Sequence, residues 1–325
     1  MAKAIPNAKE NQGVPPRTTR AYCPRGCTAV TRVIAHASQG LNEPWRVVQC
    51  QRCQLMFTDP KPPADDWEQY YPSDYHPYQV KAPFGWRKRV GRALEAGVAK
   101  LGARPGLGRI ASMFLDPTIV PPFGQRKMVD IGCGAADYMI RLRDAGWDVL
   151  GLEPSPYAAE RARATYGVNV VEDIFPSKKL QKGAFDLVTA QQVLEHLDNP
   201  LDALERMRDL LRPSGRLLLT VPNAASWSSR FFGAAWIGWD LPRHLTHFTP
   251  DSLSELARET GFRVLRVHSI RQGGWIRTSA ALAEEVGLPA NRKWFTSRQV
   301  SNGMVSLARL ANRSDSLFLL AERVD

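Results

Sequence analysis

Residues 128–155 read MVDIGCGAADYMIRLRDAGWDVLGLEPS, and no other stretch limits the fold so tightly. An apolar run breaks at Gly132 and Gly134, passes into a helix-like segment stopped at Gly146, and resumes as a second apolar run ending on Glu153. Strand, tight turn, helix, strand and acid in that order form the opening of a parallel sheet with crossover helices. The same alternation continues. SPYAAERARATYG starts with Ser155 as N-cap and Pro156 in the first turn. VNVVED and AFDLVTA are strands, NPLDALERMRDLLRPSG a helix, RLLLTVPN a fifth strand, TPDSLSELARETG a helix and FRVLRVHSI a sixth strand. SLFLLAERV supplies a seventh. The expected fold class is α/β, a doubly wound, mostly parallel seven-stranded Rossmann-like sheet.

In such a sheet ligands bind beyond the carboxyl ends of the strands, at the switch point beside the first strand. Gly132 and Gly134 permit the tight turn there, and Glu153 stands where a carboxylate accepts hydrogen bonds from ribose hydroxyls. A dinucleotide turn would read Gly-x-Gly-x-x-Gly. Here it reads DIGCGAAD, with Asp130 ahead of the first glycine. A carboxylate at that point suits a cationic ammonium or sulfonium and repels a pyrophosphate. Cys133 reads as a small buried apolar residue.

The stretch resembles the first motif of class I S-adenosylmethionine-dependent methyltransferases, with Ala136 in place of a third alternate glycine. GAFDLVTAQQVLEHLDNPLDALERMRDLLRPSGRLLLTVPN is similar to the fourth-to-fifth-strand segment of the ubiquinone-type O-methyltransferases. WDLPRHLTHFTPDSL resembles a segment of a bacterial branch with a cysteine-paired N-terminal ribbon, often encoded near surface-glycan genes. The resemblance implies S-adenosylmethionine as cofactor. It implies that Asp130, Gly132 and Gly134 line the methionine half, that Glu153 holds the ribose, that Asp173 meets the adenine amino group, and that Gln191 lies near the sulfonium. For Asp173 a loop-capping role is the competing reading.

Four of the five cysteines lie early, as CPRGC (Cys23, Cys27) and CQRC (Cys50, Cys53). Two close pairs separated by strand-like sequence suit one tetrahedral zinc, a ribbon layout with no open position for chemistry. The expected organisation is a disordered tail (1–20), a zinc-ribbon-like domain (21–60), an aromatic loop and basic helical connector (61–124) and a catalytic domain (125–325). The 325 residues carry a net charge of +11, unevenly spread: residues 1–128 hold 19 Lys and Arg against 9 Asp and Glu. Residues 84–127 alone carry a net +7, with Phe84, Trp86, Val90, Leu94 and Val98 at helical spacing. Such a helix packs its apolar stripe on the catalytic domain, or rests at an anionic membrane interface. No apolar run is long enough to span a bilayer, and the N-terminal residues lack a secretory core, so the expected location is cytoplasmic, with membrane association through 84–127 as the variant reading.

Methyl transfer from a sulfonium needs an acceptor aligned in line and, for a hydroxyl, a base. The candidate bases are His244 and His247 of PRHLTHF and His196 of LEHL. Two histidines three apart also fit a metal, but no further ligand cluster is legible beside them. Trp236, Trp239 and Arg243 either floor an acceptor or pack internally. The expected acceptor is a small-molecule or glycan hydroxyl, including a lipid-linked sugar. The segment AQQVLEHL replaces the Asn/Asp-Pro-Pro-aromatic sequence of enzymes that methylate base amino groups, which disfavours a nucleic-acid partner. RNA methylation using the basic ribbon is the runner-up, and a non-catalytic binding module with a vestigial fold is the third reading.

Overall fold

The computed structural model describes residues 23–28, 31–36, 45–63, 118–271, 274–287 and 294–325. The tail expected over 1–20 and nearly all of the connector, including the amphipathic helix expected there, lie outside the described residues.

The large sheet has seven strands. In chain order they are β4 (Lys127–Ile131), β5 (Asp148–Glu153), β6 (Asn169–Glu172), β7 (Phe185–Gln191), β8 (Leu211–Pro222), β10 (Phe262–Ile270) and β11 (Ser316–Arg323). Their order across the sheet is β10-β11-β8-β7-β4-β5-β6. The pairs β4–β5, β5–β6, β4–β7 and β7–β8 are parallel, whereas β11 runs antiparallel to both β8 and β10. The chain winds outward through β5 and β6, then returns to lay β7 on the other side of β4. The switch point is therefore the gap between β4 and β7.

The helices obey their sequence signals. In α2 (Pro156–Tyr166), Ser155 accepts the Ala158 amide and Gly167 closes the helix in the left-handed region. Asn199 accepts the Leu201 and Asp202 amides at the start of α3 (Pro200–Leu210). Thr249 and Ser252 form a capping box on α5 (Pro250–Glu259). The helix expected through Gly215 stops at Leu210, and the next residue already belongs to β8. The central core joins Val129, Ile131, Val188, Leu217, Leu219 and Val221 of the strands to Leu204, Met207, Leu253 and Leu256 of the helices, all essentially unexposed. Each such side chain contributes about 1.5–3 kcal/mol through burial. Ile119 and Val120 pack with Met128, Leu142, Trp147 and Phe318, so this body takes in residues before β4.

The cysteine pairs sit on a second sheet of β1 (Thr31–His36), β2 (Arg46–Cys50) and β3 (Met56–Asp59). Its fourth strand, β9 (Thr246–His247), comes from the segment after β8. The ribbon read in sequence as a separate unit thus shares its sheet with the histidine loop. It shares a core as well. Trp45, Val47 and Met56 pack with Phe232, Trp236, Trp239 and Leu241, and with Ile276, Ala280 and Val305 of α6 (Trp275–Glu285) and α7 (Arg298–Leu310). Arg25 pairs with Glu255 and Glu259 on α5. Among the described residues, no helix is long and apolar enough to cross a membrane.

Candidate functional site

The turn after β4 meets its sequence description. Gly132 (φ +66°) and Gly134 (φ +52°) are left-handed. A Cβ on Gly132 would lie 2.6 Å from Val193 Cγ2, so the turn packs directly against the segment that follows β7. Ala136 is left-handed as well (φ 66°, ψ 11°) and caps α1 (Asp137–Ala145). An alanine there costs about 1–2 kcal/mol in backbone strain, which the missing third glycine would have avoided. Cys133 is buried, its sulfur 2.5 Å from where a Cβ on Gly151 would stand, and burial pushes its thiol well above the ordinary range. It is a packing residue, as the sequence reading had it.

Asp130 is 2% exposed, and its carboxylate accepts a 2.6 Å hydrogen bond from Thr189 Oγ1 on β7. Burial pushes its pKa up to about 7, against the pull of the Thr189 bond and with a small push from the Glu153 charge. Thr189 was not singled out in sequence; its only signal is its register position, directly opposite Asp130. Glu153 is equally buried. Its oxygens accept the Gly134 amide at 2.8 Å and the Ser155 amide at 2.9 Å, so it fastens the glycine turn to the end of β5. Burial raises its pKa and those two amides partly restrain it. Each oxygen keeps a second lone-pair direction for a ligand hydroxyl. Gln191 ends β7 with Oε1 accepting from Thr220 at 3.0 Å, while its buried Nε2 has no partner among the described residues. Asp173 follows β6 and accepts from the Ile174 amide and Ser177 Oγ, which with Lys179 hold its pKa low. These are the bonds of a loop cap. Two buried carboxylates and an unpartnered amide donor around one glycine turn fit a nucleoside carrying a cationic amino-acid arm.

The histidines converge. His196 lies on a 3-10 turn (Leu194–His196) three residues beyond the Val193 contact, and its ring meets His244 with centroids 4.7 Å apart. His196 Nδ1 faces the Arg243 carbonyl at 3.0 Å and His244 Nδ1 faces the Gly238 carbonyl at 2.9 Å, so in each neutral ring Nδ1 carries the proton. His247 stacks edge-on against Trp239 at 5.2 Å. Burial lowers all three pKa values, that of His196 to about 3, with help from His244. All three are neutral imidazoles at pH 7.

The structure adds what sequence reading missed. Glu195 is fully buried, neither carboxylate oxygen has a hydrogen-bond partner among the described residues, and burial pushes its pKa up to about 8. Glu195, His196 and His244 bring one ligand atom each within 4.8 Å of one another. The fold thus groups His244 with Glu195 and His196 rather than with His247, the pairing the sequence spacing suggested. The signal was present in sequence as the Glu before His196, but His244 lies 48 residues further on and only the fold brings it there. Trp236 and Trp239 are 1% and 5% exposed and pack in the shared core, while Arg243 pairs with Asp240.

The four ribbon cysteines are unbridged and place their sulfurs within 4.8 Å of one another, with Cys23 and Cys53 at 3.4 Å. Sulfurs about 2.3 Å from a tetrahedral zinc stand about 3.8 Å apart, so the cluster fits that ion. Burial raises the Cys23 thiol. At Cys50 the backbone amides of Cys53 and Arg52 outweigh burial and lower it.

A family profile described as a methyltransferase domain matches residues 86–267. Among curated relatives, a ubiquinone biosynthesis O-methyltransferase of Cereibacter sphaeroides is 31% identical over 43% of this chain and 61% of its own length. One of Xanthomonas axonopodis pv. citri is 28% identical over 47% and 69%. The chain thus spans less than two thirds of the first of these relatives. A crystal structure of an S-adenosylmethionine-dependent methyltransferase from Mesorhizobium loti is 18% identical, covers 61% of this chain and 90% of that one, and has a TM-score of 0.42.

Proposed function

The chain belongs to the class I S-adenosylmethionine-dependent methyltransferase family, and on that premise we propose that it methylates a hydroxyl of a small-molecule or glycan acceptor, lipid-linked sugars included. The observation that carries this reading is the cluster of three neutral imidazoles, joined to the cofactor turn through the Val193–Gly132 contact. The bound sulfonium supplies an activated methyl group. What remains for the chain is positioning and proton removal. Asp130 would hold the ammonium, Glu153 the ribose hydroxyls, and Gln191 Nε2 a polar atom near the methionine arm. Asp173 would reach the adenine after exchanging its Ser177 bond. A neutral imidazole of His196, His244 or His247 would take the acceptor proton. Zinc in the cysteine cluster would be structural.

The test is transfer of a labelled methyl group to glycan, lipid-linked and small-molecule fractions against RNA. His244→Ala or His247→Ala is expected to lose about a hundredfold to ten-thousandfold in rate while cofactor affinity holds. Label appearing in RNA alone would replace this acceptor class by the nucleic-acid one.

Glu195 favours a second reading of the same cluster. A buried carboxylate with two unpartnered oxygens beside two imidazoles is a donor set for a divalent cation, which would lower the acceptor hydroxyl's pKa directly. Calorimetric titration with magnesium, manganese and zinc, in wild type and Glu195→Gln, decides between the two.

A further inference from the structure

We infer that Thr58, a residue of the cysteine ribbon, is a positioning residue for the acceptor side, fixing the tautomer of His247 and the path of the histidine loop. The inference rests on the reading that acceptors meet this loop, but its chemistry is independent of which acceptor that is.

β3 and β9 pair antiparallel, Met56 opposite His247 and Phe57 opposite Thr246. Thr58 continues the pairing: its amide donates to the Leu245 carbonyl at 2.9 Å. Its side chain, 5% exposed, makes two further contacts. Oγ1 lies 2.5 Å from the His244 carbonyl and 3.1 Å from His247 Nε2. A hydroxyl has one hydrogen, and a carbonyl can only accept. The hydrogen therefore goes to His244 O, and the hydroxyl oxygen must accept from His247. This fixes His247 as the Nε2–H tautomer and leaves Nδ1 with a bare lone pair. That Nδ1 is buried and has no hydrogen-bond partner among the described residues. His196 and His244 hold the opposite tautomer through the backbone carbonyls of Arg243 and Gly238, both on the histidine loop. His247 alone of the three takes its proton placement from the ribbon.

The consequence runs from the cysteines to the site. Cys50 ends β2, the turn through Cys53 leads into β3, and β2 pairs with β3 over Arg46–Gln49 and Met56–Asp59. Arg46 grips Asp59, next to Thr58, with two bonds of 3.0 and 2.8 Å. Whatever holds the four sulfurs together thereby holds β3, Thr58 and the bare Nδ1 of His247. The cofactor turn, built on β4 and β5, has no bond to the ribbon among the contacts that shape it.

Long-range nitrogen–proton correlation spectra of the full chain labelled at its six histidines read the tautomers directly. His247→Gln identifies the His247 signals. Expected are an Nε2–H pattern for His247 in wild type, its retention in Thr58→Ser and its loss in Thr58→Val. Cys50→Ser should shift the same signals while affinity for S-adenosylhomocysteine stays within about threefold, since that ligand tests the cofactor half alone. An Nδ1–H pattern for wild-type His247 overturns the inference whether or not the valine variant folds. So does a valine variant with the wild-type pattern, or a serine variant without it. Unchanged His247 signals in Cys50→Ser would sever the ribbon from the site. Loss of S-adenosylhomocysteine binding by the wild type would instead count against the cofactor reading.

Discussion

Two buried acids set the titration behaviour. Asp130 must ionise to hold an ammonium group, and its pKa stands at about 7. Affinity for S-adenosylhomocysteine is therefore expected to rise about tenfold between pH 6 and pH 8 and then level off, because the ionised fraction climbs by that factor. Asp130→Asn should bind weakly with a flat profile; calorimetry across that range checks both. Glu195 behaves oppositely in stability. Its folded pKa of about 8 exceeds the ordinary 4.5, so between those values the folded state keeps a proton that the unfolded chain releases. Stability is fully present below pH 4.5 and is lost as pH rises through 8. Glu195→Gln should match wild type near pH 4.5 and exceed it by on the order of 2–4 kcal/mol at pH 8.5 in metal-free buffer. Melts showing the variant less stable there would mean that Glu195 has a partner such as a bound cation. Asp130 was legible in sequence because it belongs to a motif. Thr189 and Thr58 were not, because an isolated threonine in a strand carries no sign of what lies across the sheet.

Among elements, the glycine turn separates strain from contact. Gly132 and Gly167 share nearly the same φ, +66° and +63°. A Cβ on Gly132 would strike Val193 at 2.6 Å, whereas one on Gly167 would meet nothing within 4 Å among the described residues. Gly167→Ala is expected to cost about 1 kcal/mol and leave cofactor affinity alone. Gly132→Ala should cost about 2–4 kcal/mol and at least tenfold in affinity, because the turn must move off the 3-10 segment that follows β7. Thermal melts paired with S-adenosylhomocysteine titration distinguish the two. Equal effects would mean that the turn does not shape the site. The seven strands and their crossover helices were legible because apolar period and caps are local signals. The end of α3 was not. LRPSG follows a helical pattern, yet Leu211 pairs with Phe185 as the start of β8. Strand pairing across 26 residues overrode the local pattern there.

In the whole molecule the ribbon is no appendage. Trp45, Val47 and Met56 share one core with the histidine loop, α6 and α7. Removal of a structural metal is therefore expected to lower a single unfolding transition. About 1 kcal/mol corresponds to 2–4 °C in a body of this size, so loss of several kcal/mol lowers it by on the order of 10 °C. A ribbon that melts first and leaves the main transition in place would refute this; calorimetry with and without a chelator, alongside metal analysis, is the measurement.

The sequence by itself determined the succession of strands and helices in the nucleoside-binding half, the acid–glycine–acid set Asp130, Gly132, Gly134 and Glu153, and the grouping of Cys23, Cys27, Cys50 and Cys53. Each of these is written within a few tens of residues, where spacing alone brings the groups together. Tertiary structure decided that Glu195, His196 and His244 form one cluster, that Trp236 and Trp239 face inward, and that Thr58 meets His247 across 189 residues. Those contacts arise from the register between β3 and β9 and from a core assembled out of distant segments. Register is set by pairing partners, and no local period of the chain encodes who the partner will be.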